Sequence, residues 1–155
     1  MLTAVFLDGN NLYFTSKKYH DNRRIDYQKL YDFINTEENQ IFQCAYYGVS
    51  RAGETQRFHQ ALQSIGYTTR SKTKKDNTWP SWSIEMTHDI HLAAQKADKI
   101  ILCTNDWNWI PVLDYLKTKV KVELIGVKLS PRLIGAAHKA TELSLDFCEE
   151  NYSDT

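Results

Sequence analysis

The chain has 155 residues, of which 42% are hydrophobic and 25% charged, which suffices for one compact domain with a buried core. Lys and Arg number 19 and Asp and Glu also number 19, so the net charge does not indicate a nucleic-acid or membrane-surface binder. The distribution is uneven: residues 1–80 carry 11 basic and 8 acidic side chains, whereas residues 81–155 carry 8 and 11.

Three cysteines without a CxxC spacing cannot form a closed disulfide framework, which favours a reducing cytoplasm. The opening MLTAVFLD has no basic segment and an acid at position 8, so we expect neither a signal peptide nor a membrane span. We therefore predict a cytoplasmic protein without a membrane partner.

Short apolar runs alternate with segments of helical spacing. Strands are predicted over residues 3–7, 41–49, 67–70, 99–103, 120–127 and 143–147, with a polar, basic loop over residues 71–80. Helices are predicted from residue 12, from residue 25, over residues 54–65, over residues 81–97, after residue 106 and over residues 131–139. This alternation predicts an α/β fold with a mainly parallel sheet covered on both faces. We expect one domain over residues 1–147 and a polar tail over residues 148–155.

Two nucleotide or metal motifs are incomplete. Gly48 and Gly53 have the spacing of a phosphate-binding loop, but Glu54 follows where that loop requires lysine. His88 and His91 lie three residues apart on a predicted helix, yet no second Cys or His pair completes a zinc site.

Four acidic residues form the most informative pattern. Asp8 follows the first predicted strand and Asp106 follows the strand over residues 99–103, and parallel sheets bind ligands beyond these strand ends. Asp89 and Glu85 are four residues apart on the helix between them and share one face. Clustered carboxylates need a cation, and oxygen ligands favour Mg²⁺ or Mn²⁺.

Each acid also has a simpler explanation. Asp8 and Asp106 are suited to a turn and a helix cap, and Glu85 and Asp89 to a solvated helix face. A phosphatase or nucleotidase could use the same acids, and turnover of small phosphomonoesters would identify it.

At these residues the chain resembles a known family. Residues 5–12, VFLDGNNL, resemble the D-G-x-N-L opening of NYN domains, the PIN-like metal-dependent ribonucleases that include LabA-like proteins. Residues 104–111, TNDWNWIP, are similar to the family's S-G-D-S-D-F-x-P. Further similarity falls on residues 44–48, 62–67, 72–75, 120–126 and 130–133. The resemblance covers about residues 3–145.

The resemblance implies a PIN-like three-layer α/β/α sandwich that hydrolyses RNA phosphodiesters with Mg²⁺ or Mn²⁺. By position, Asp8, Asp89 and Asp106 would bind the metal. Asn11 would position the first carboxylate or the substrate, and Thr104 would support the site.

Three residues depart from the family pattern. Asn108 and Ser83 stand where the family has Asp, and His138 stands where Asp is common. Fewer acids lower the affinity for a metal ion, and Glu85 is a candidate replacement ligand.

All four tryptophans lie within residues 79–109, and basic residues precede them. Trp107 is adjacent to Asp106 and could stack on a base, whereas Trp109 is expected in the core. Basic residues interleaved with aromatic ones suit single-stranded or looped RNA, although a solvated loop anchored by core tryptophans explains them equally well. The candidate substrate-binding residues are Lys72, Lys74, Lys75, Trp82 and Trp107, beside Arg70 and Trp79. A second basic group comprises Lys17, Lys18, Arg23 and Arg24.

The sequence therefore predicts a metal-dependent endoribonuclease. The alternative is a catalytically weakened domain of the same fold that binds RNA or a protein. The aromatic helix over residues 27–33 is compatible with a homodimer, although packing in the core explains it more simply.

Overall fold

A computed structural model describes residues 1–50, 56–76 and 78–150. The strands are β1 (Leu2–Asp8), β2 (Gln40–Ser50), β3 (Thr68–Thr73), β4 (Lys99–Cys103), β5 (Lys121–Gly126) and β6 (Lys139–Glu142). The α-helices are α1 (Gly9–Tyr19), α2 (Tyr27–Ile34), α3 (Gln56–Ile65), α4 (Ser83–Ala94), α5 (Ile110–Lys117) and α6 (Pro131–Gly135). Two 3-10 helices cover Trp107–Trp109 and Leu145–Phe147.

The strands form one parallel sheet in the order β3-β2-β1-β4-β5-β6. Side chains alternate between its faces because successive strand residues point in opposite directions. Phe6 of β1 joins the core beneath α4, α5 and α6, whereas Leu7 joins the core beneath α1, α2 and α3. The three-layer α/β/α prediction is confirmed.

The predicted elements at the carboxyl-terminal end were partly wrong. The helix expected over residues 131–139 ends at Gly135, and the strand expected over residues 143–147 is a 3-10 helix. The sixth strand is instead β6, which pairs only with β5 and carries the polar sequence KATE. An edge strand with few buried side chains lacks the apolar run by which strands are recognised.

The basic loop expected over residues 71–80 begins later than predicted. Strand β3 continues to Thr73, because its backbone pairs with β2 as far as Ser50. The helix expected over residues 54–65 is observed from Gln56, and residues 54 and 55 lie outside the described residues.

The chain remains packed beyond the predicted domain end at residue 147. Cys148 is buried and forms an isolated bridge with Ile25, and the N–H of Glu149 donates to the carbonyl of Arg24. Across the described residues, no helix is both long and apolar enough to cross a bilayer. Tyr27 and Leu30 of α2 are buried in the core, so part of that helix packs internally.

A buried ion pair lies near the amino-terminal ends of β4 and β5, whereas the predicted site lies beyond the carboxyl-terminal ends of the strands. The ammonium of Lys99, at the start of β4, is 2.9 Å from the carboxylate of Glu123 and 3.0 Å from the side-chain oxygen of Asn39. Lys99 and Glu123 are 1% and 4% exposed, so removal of either charge leaves the other inside the protein.

We predict that Lys99→Met lowers the free energy of unfolding by about 3–5 kcal/mol, because the Glu123 carboxylate loses its buried partner. Lys99→Met combined with Glu123→Leu should recover most of this loss, since an apolar pair can replace a buried ion pair. Urea unfolding of both variants measures the difference. A single variant as stable as the wild type would contradict the prediction.

Candidate active site

The adjacent strands β1 and β4 each lead into a helix that is capped by an aspartate. Asp8 is the last residue of β1, and its Oδ1 accepts from the backbone N–H of Asn11 at 3.4 Å, at the start of α1. Asp106 caps the 3-10 helix after β4, with Oδ1 accepting from the N–H of Asn108 at 2.9 Å. Asp106 therefore takes the cap role expected of it, and Asp8, for which a turn was expected, is a cap as well.

A single threonine hydroxyl connects these two caps. The Oγ1 of Thr104 donates to Oδ2 of Asp8 at 3.0 Å and accepts from the backbone N–H of Asp106 at 3.1 Å. Thr104 is fully buried, so protein atoms alone meet the needs of its hydroxyl. Thr104 thus links the Asp8 carboxylate to the backbone of Asp106, and the joint role of the two acids stays a prediction.

Burial governs the electrostatics of Asp8. Removal from water raises the pKa of its carboxyl, hydrogen bonds from Thr104, Trp109 and Asn11 lower the pKa, and the charge of Asp106 raises it. The net shift is upward. A cation beside these two carboxylates would favour their ionised forms.

Two further side chains, Trp109 and Asn105, contact this site and were not predicted to do so. The Nε1 of Trp109 donates to Oδ2 of Asp8 at 3.4 Å, so this buried ring packs in the core and also contacts the site. Asn105 accepts from Nδ2 of Asn11 at 2.8 Å, donates its N–H to Oδ1 of Asn11 at 2.8 Å, and donates Nδ2 to the carbonyl of Val127 at 2.7 Å. The sequence shows that Trp109 and Asn105 follow a predicted strand and carry hydrogen-bonding groups. It does not show their partners, because Asp8, Asn11 and Val127 lie in distant segments.

Gly9 allows α1 to begin against β2. A Cβ atom at this position would lie 2.5 Å from the ring of Tyr46 and 2.5 Å from the carbonyl oxygen of Tyr47. The close approach therefore requires glycine directly after Asp8.

Asp89 and Glu85 are paired with cationic side chains. The Oδ2 of Asp89 accepts from Tyr47 Oη at 2.7 Å and from Arg70 at 2.8 Å, and His88 Nδ1 lies 3.1 Å from Oδ1. Partial burial raises the pKa of Asp89, but the bonds from Tyr47 and His88 and the charge of Arg70 outweigh it and lower the pKa.

Glu85 forms an ion pair with Lys72, whose ammonium holds the pKa of this carboxyl below its usual value. Within residues 1–50, 56–76 and 78–150, no three His, Cys, Asp or Glu side chains are grouped to hold a metal ion. Asp8 and Asp106 lie near each other, whereas Asp89 and Glu85 of α4 pair with side chains of β2 and β3. Metal binding by all four acids stays a prediction.

The remaining donors suit a hard divalent cation held by few protein ligands. Asp8 and Asp106 offer carboxylate oxygens, and Mg²⁺ is commonly held by one or two carboxylates with water and phosphate oxygens. Asn108 lies at the same turn, and its side chain carries no charge where the family pattern has an acid. Ser83, at the start of α4, accepts a hydrogen bond from the hydroxyl of Ser81 at 3.0 Å. His138 accepts from the N–H of Val122 near the start of β5.

The candidate substrate-binding residues divide into two groups. Trp82 donates Nε1 to the carbonyl of Gly48 at 2.7 Å, and its ring lies 4.4 Å from the ammonium of Lys72 and 5.0 Å from the guanidinium of Arg70. Lys72 also donates to the carbonyl of Ser81. Trp82 and Lys72 therefore join β3 to the start of α4.

The second group is more accessible. Trp107, next to Asp106, is 65% exposed. The ammonium of Lys74 lies 4.5 Å from the ring of Trp79, and Lys75 is an exposed residue whose backbone pairs with Thr78. These side chains are available to a ligand at the carboxyl edge of the sheet.

Three comparisons with known proteins show what this chain is similar to. The NYN domain family model matches residues 2–144. The low amplitude and bright protein LabA of Synechococcus elongatus is 28% identical, over 75% of this chain and 68% of its own length. A crystal structure of a protein of unknown function from Vibrio parahaemolyticus has a TM-score of 0.84 over 96% of each chain, at 23% identity. That likeness establishes the fold.

We predict that the melting temperature of Asp8→Asn, relative to that of the wild type, is higher at pH 7 than at about pH 4. The folded state raises the pKa of this carboxyl, so its ionised form weakens the fold, and this cost disappears as the pH falls through the raised pKa. Thermal unfolding at pH 7 and at about pH 4 measures the change. Asp114→Asn, at an exposed carboxylate on α5, is the control. A difference in melting temperature between Asp8→Asn and the wild type that is the same at both pH values would refute the assignment.

Proposed function

Because the chain belongs to the NYN domain family, whose members are generally nuclease-like and act on RNA, we propose that it is a divalent-metal-dependent endoribonuclease. One observation carries this proposal. The buried hydroxyl of Thr104 joins the carboxylate of Asp8 to the backbone N–H of Asp106, beyond the ends of adjacent parallel strands. Ligand sites of open α/β sheets lie at this edge.

Asp8 and Asp106 would hold Mg²⁺ or Mn²⁺. When bound, such an ion supplies a more acidic water and neutralises charge on the phosphate. Thr104 fixes the orientation of Asp8, and the Asn11–Asn105 pair fixes α1 against the loop after β4. The Asp8 carboxylate accepts hydrogen bonds from Thr104 and Asn11, and that of Asp106 accepts one from Asn108, so both acids are oriented before a charged ligand binds.

The surroundings of this centre suit a polyanion with bases. Trp107 is exposed beside Asp106, and Lys74 and Lys75 lie on the segment between β3 and α4. An aromatic ring next to the acids can stack on a base, while the lysines contact phosphates.

A second candidate function is a catalytically weakened domain that binds RNA or a protein. Arg70 and Lys72 pair with the carboxylates of Asp89 and Glu85, and Asn108 is neutral. If these pairs persist when a metal ion is present, two carboxylates remain for it, and fewer anionic ligands mean weaker binding.

Three free, buried cysteines, Cys44, Cys103 and Cys148, support the cytoplasmic location that we propose. Burial raises the pKa of the Cys44 thiol to about 12, so this thiol stays protonated at neutral pH. Reduced thiols of this kind persist in a reducing compartment.

We predict that the wild-type protein cleaves a mixed RNA pool with Mn²⁺ or Mg²⁺ and that Asp8→Asn and Asp106→Asn each lower the rate at least about 100-fold. Gel analysis of end-labelled RNA measures the rate. Asp114→Asn is the matched control and should cleave at the wild-type rate. Intact RNA with the wild-type protein, together with tight RNA binding, would reject the nuclease and favour the binding domain.

We further predict that Asn108→Asp strengthens Mn²⁺ binding about 10-fold, because a carboxylate replaces a neutral amide beside Asp106. Arg70→Gln should strengthen it as well if Arg70 competes with the ion for Asp89. Isothermal titration calorimetry with Mn²⁺ reports both without depending on catalysis. Unchanged affinity in Asn108→Asp would show that this position lies outside the metal site, and unchanged affinity in Arg70→Gln would remove Asp89 from it.

A further inference from the structure

Three aromatic rings form an exposed row between α1 and the segment before α4. Phe14 lies edge to face with Tyr13, at 5.2 Å between ring centroids, and with Trp79, also at 5.2 Å. Tyr13 is 38% exposed, Phe14 is 47% exposed and Trp79 is 40% exposed. The rings therefore contact one another without being taken into the core.

A buried aromatic cluster shows the contrast. Tyr27 contacts Tyr46, Phe58 and Tyr67 at centroid distances of 5.5–6.1 Å, and three of these four residues are buried. Those rings stabilise the core beneath α2 and α3. The exposed row leaves apolar surface in water, and such patches commonly mark binding sites.

A lysine lies over the ring at each end of this row. The ammonium of Lys17 is 4.8 Å from the ring centroid of Tyr13 and 3.1 Å from its hydroxyl, and that of Lys74 is 4.5 Å from the ring of Trp79. Aromatic faces with adjacent cations match a ligand of flat rings joined by phosphates. A purely apolar partner would gain nothing from the two charges.

The row also lies on the element that begins the candidate active site. Helix α1 starts directly after Asp8, and Phe14 is one turn beyond Asn11 on that helix. Trp79 lies in the segment that follows β3 and precedes α4. An extended ligand bound to this row would therefore lie along α1, the helix that starts directly after Asp8.

We propose that Tyr13, Phe14 and Trp79 form a stacking platform for unpaired bases of single-stranded RNA, with Lys17 and Lys74 contacting the flanking phosphates. This proposal rests on the proposed RNA-directed function and specifies its substrate class. Bases in a duplex are already stacked on both faces and cannot lie on protein rings, so the platform selects single-stranded segments.

The test compares Phe14→Ala/Trp79→Ala with the wild type by fluorescence anisotropy of labelled oligo(A), oligo(U) and an RNA duplex. Loss of two stacking rings should weaken single-strand binding at least about 10-fold and leave duplex binding unchanged. The single variant Trp79→Phe, which keeps a ring at this position and an intact Phe14, should bind single strands with most of the wild-type affinity. Tyr115→Ala is the matched control, because Tyr115 is an exposed aromatic on α5 with Lys119 over its ring.

Tryptophan fluorescence gives a second readout of binding. The contribution of Trp79 is the difference between the emission of the wild type and that of Trp79→Phe, so no ring-deleting substitution is needed. Addition of oligo(A) should quench it. Unchanged emission, or equal single-strand affinity in Phe14→Ala/Trp79→Ala, would overturn the platform. Loss of self-association in that variant with unchanged RNA affinity would assign the row to a protein interface and also overturn it.

Failure of the platform is distinguishable from failure of the proposed nuclease. Asp8→Asn should abolish cleavage and retain single-strand binding, whereas the ring variants should lose binding. If the ring variants bind normally while Asp8→Asn abolishes cleavage, only the platform is rejected. If no variant changes cleavage but the rings control binding, only the nuclease assignment is rejected.

Discussion

The buried hydroxyl of Thr104 ties together the two strand ends on which the candidate site depends. It donates to Asp8 and accepts from the backbone of Asp106, and no water is required to complete its bonding. Parallel pairing of β1 with β4 brings these loops side by side. Protein atoms therefore hold the Asp8 carboxylate beside the backbone of Asp106, and the folded protein bears the cost of burying Asp8. Sites that hold charge in this way commonly sacrifice stability for function.

The acids of this protein are neutralised in two different ways. Asp89 and Glu85 receive the charges of Arg70 and Lys72, which come from the basic first half of the chain. The donors to Asp8, in contrast, are neutral groups. Part of the uneven charge along the chain is therefore cancelled by ion pairs between partly exposed side chains of β3 and α4. The zero net charge is compatible with a local centre that attracts cations and a rim that attracts phosphates.

Elements with strong apolar patterns were predicted from the sequence, because the spacing of apolar residues along a short segment shows which side chains are buried. Strand β4 was predicted over residues 99–103 and is observed there, with every residue buried. Strand β6 was missed because its polar side chains lie at the sheet edge, and its position depends on pairing with β5. The buried Leu143 imitates the start of a strand although it precedes a 3-10 helix.

The sequence by itself determined the α/β architecture and placed Asp8 and Asp106 at strand ends, since both follow from the order of residues within short segments. Only the tertiary structure decided which partners the other acids take and that Phe14 lies against Trp79. Side chains that are far apart in sequence meet according to how helices pack on the sheet. Local periodicity does not specify those contacts, because the same amphipathic helix can present its polar face to many different neighbours.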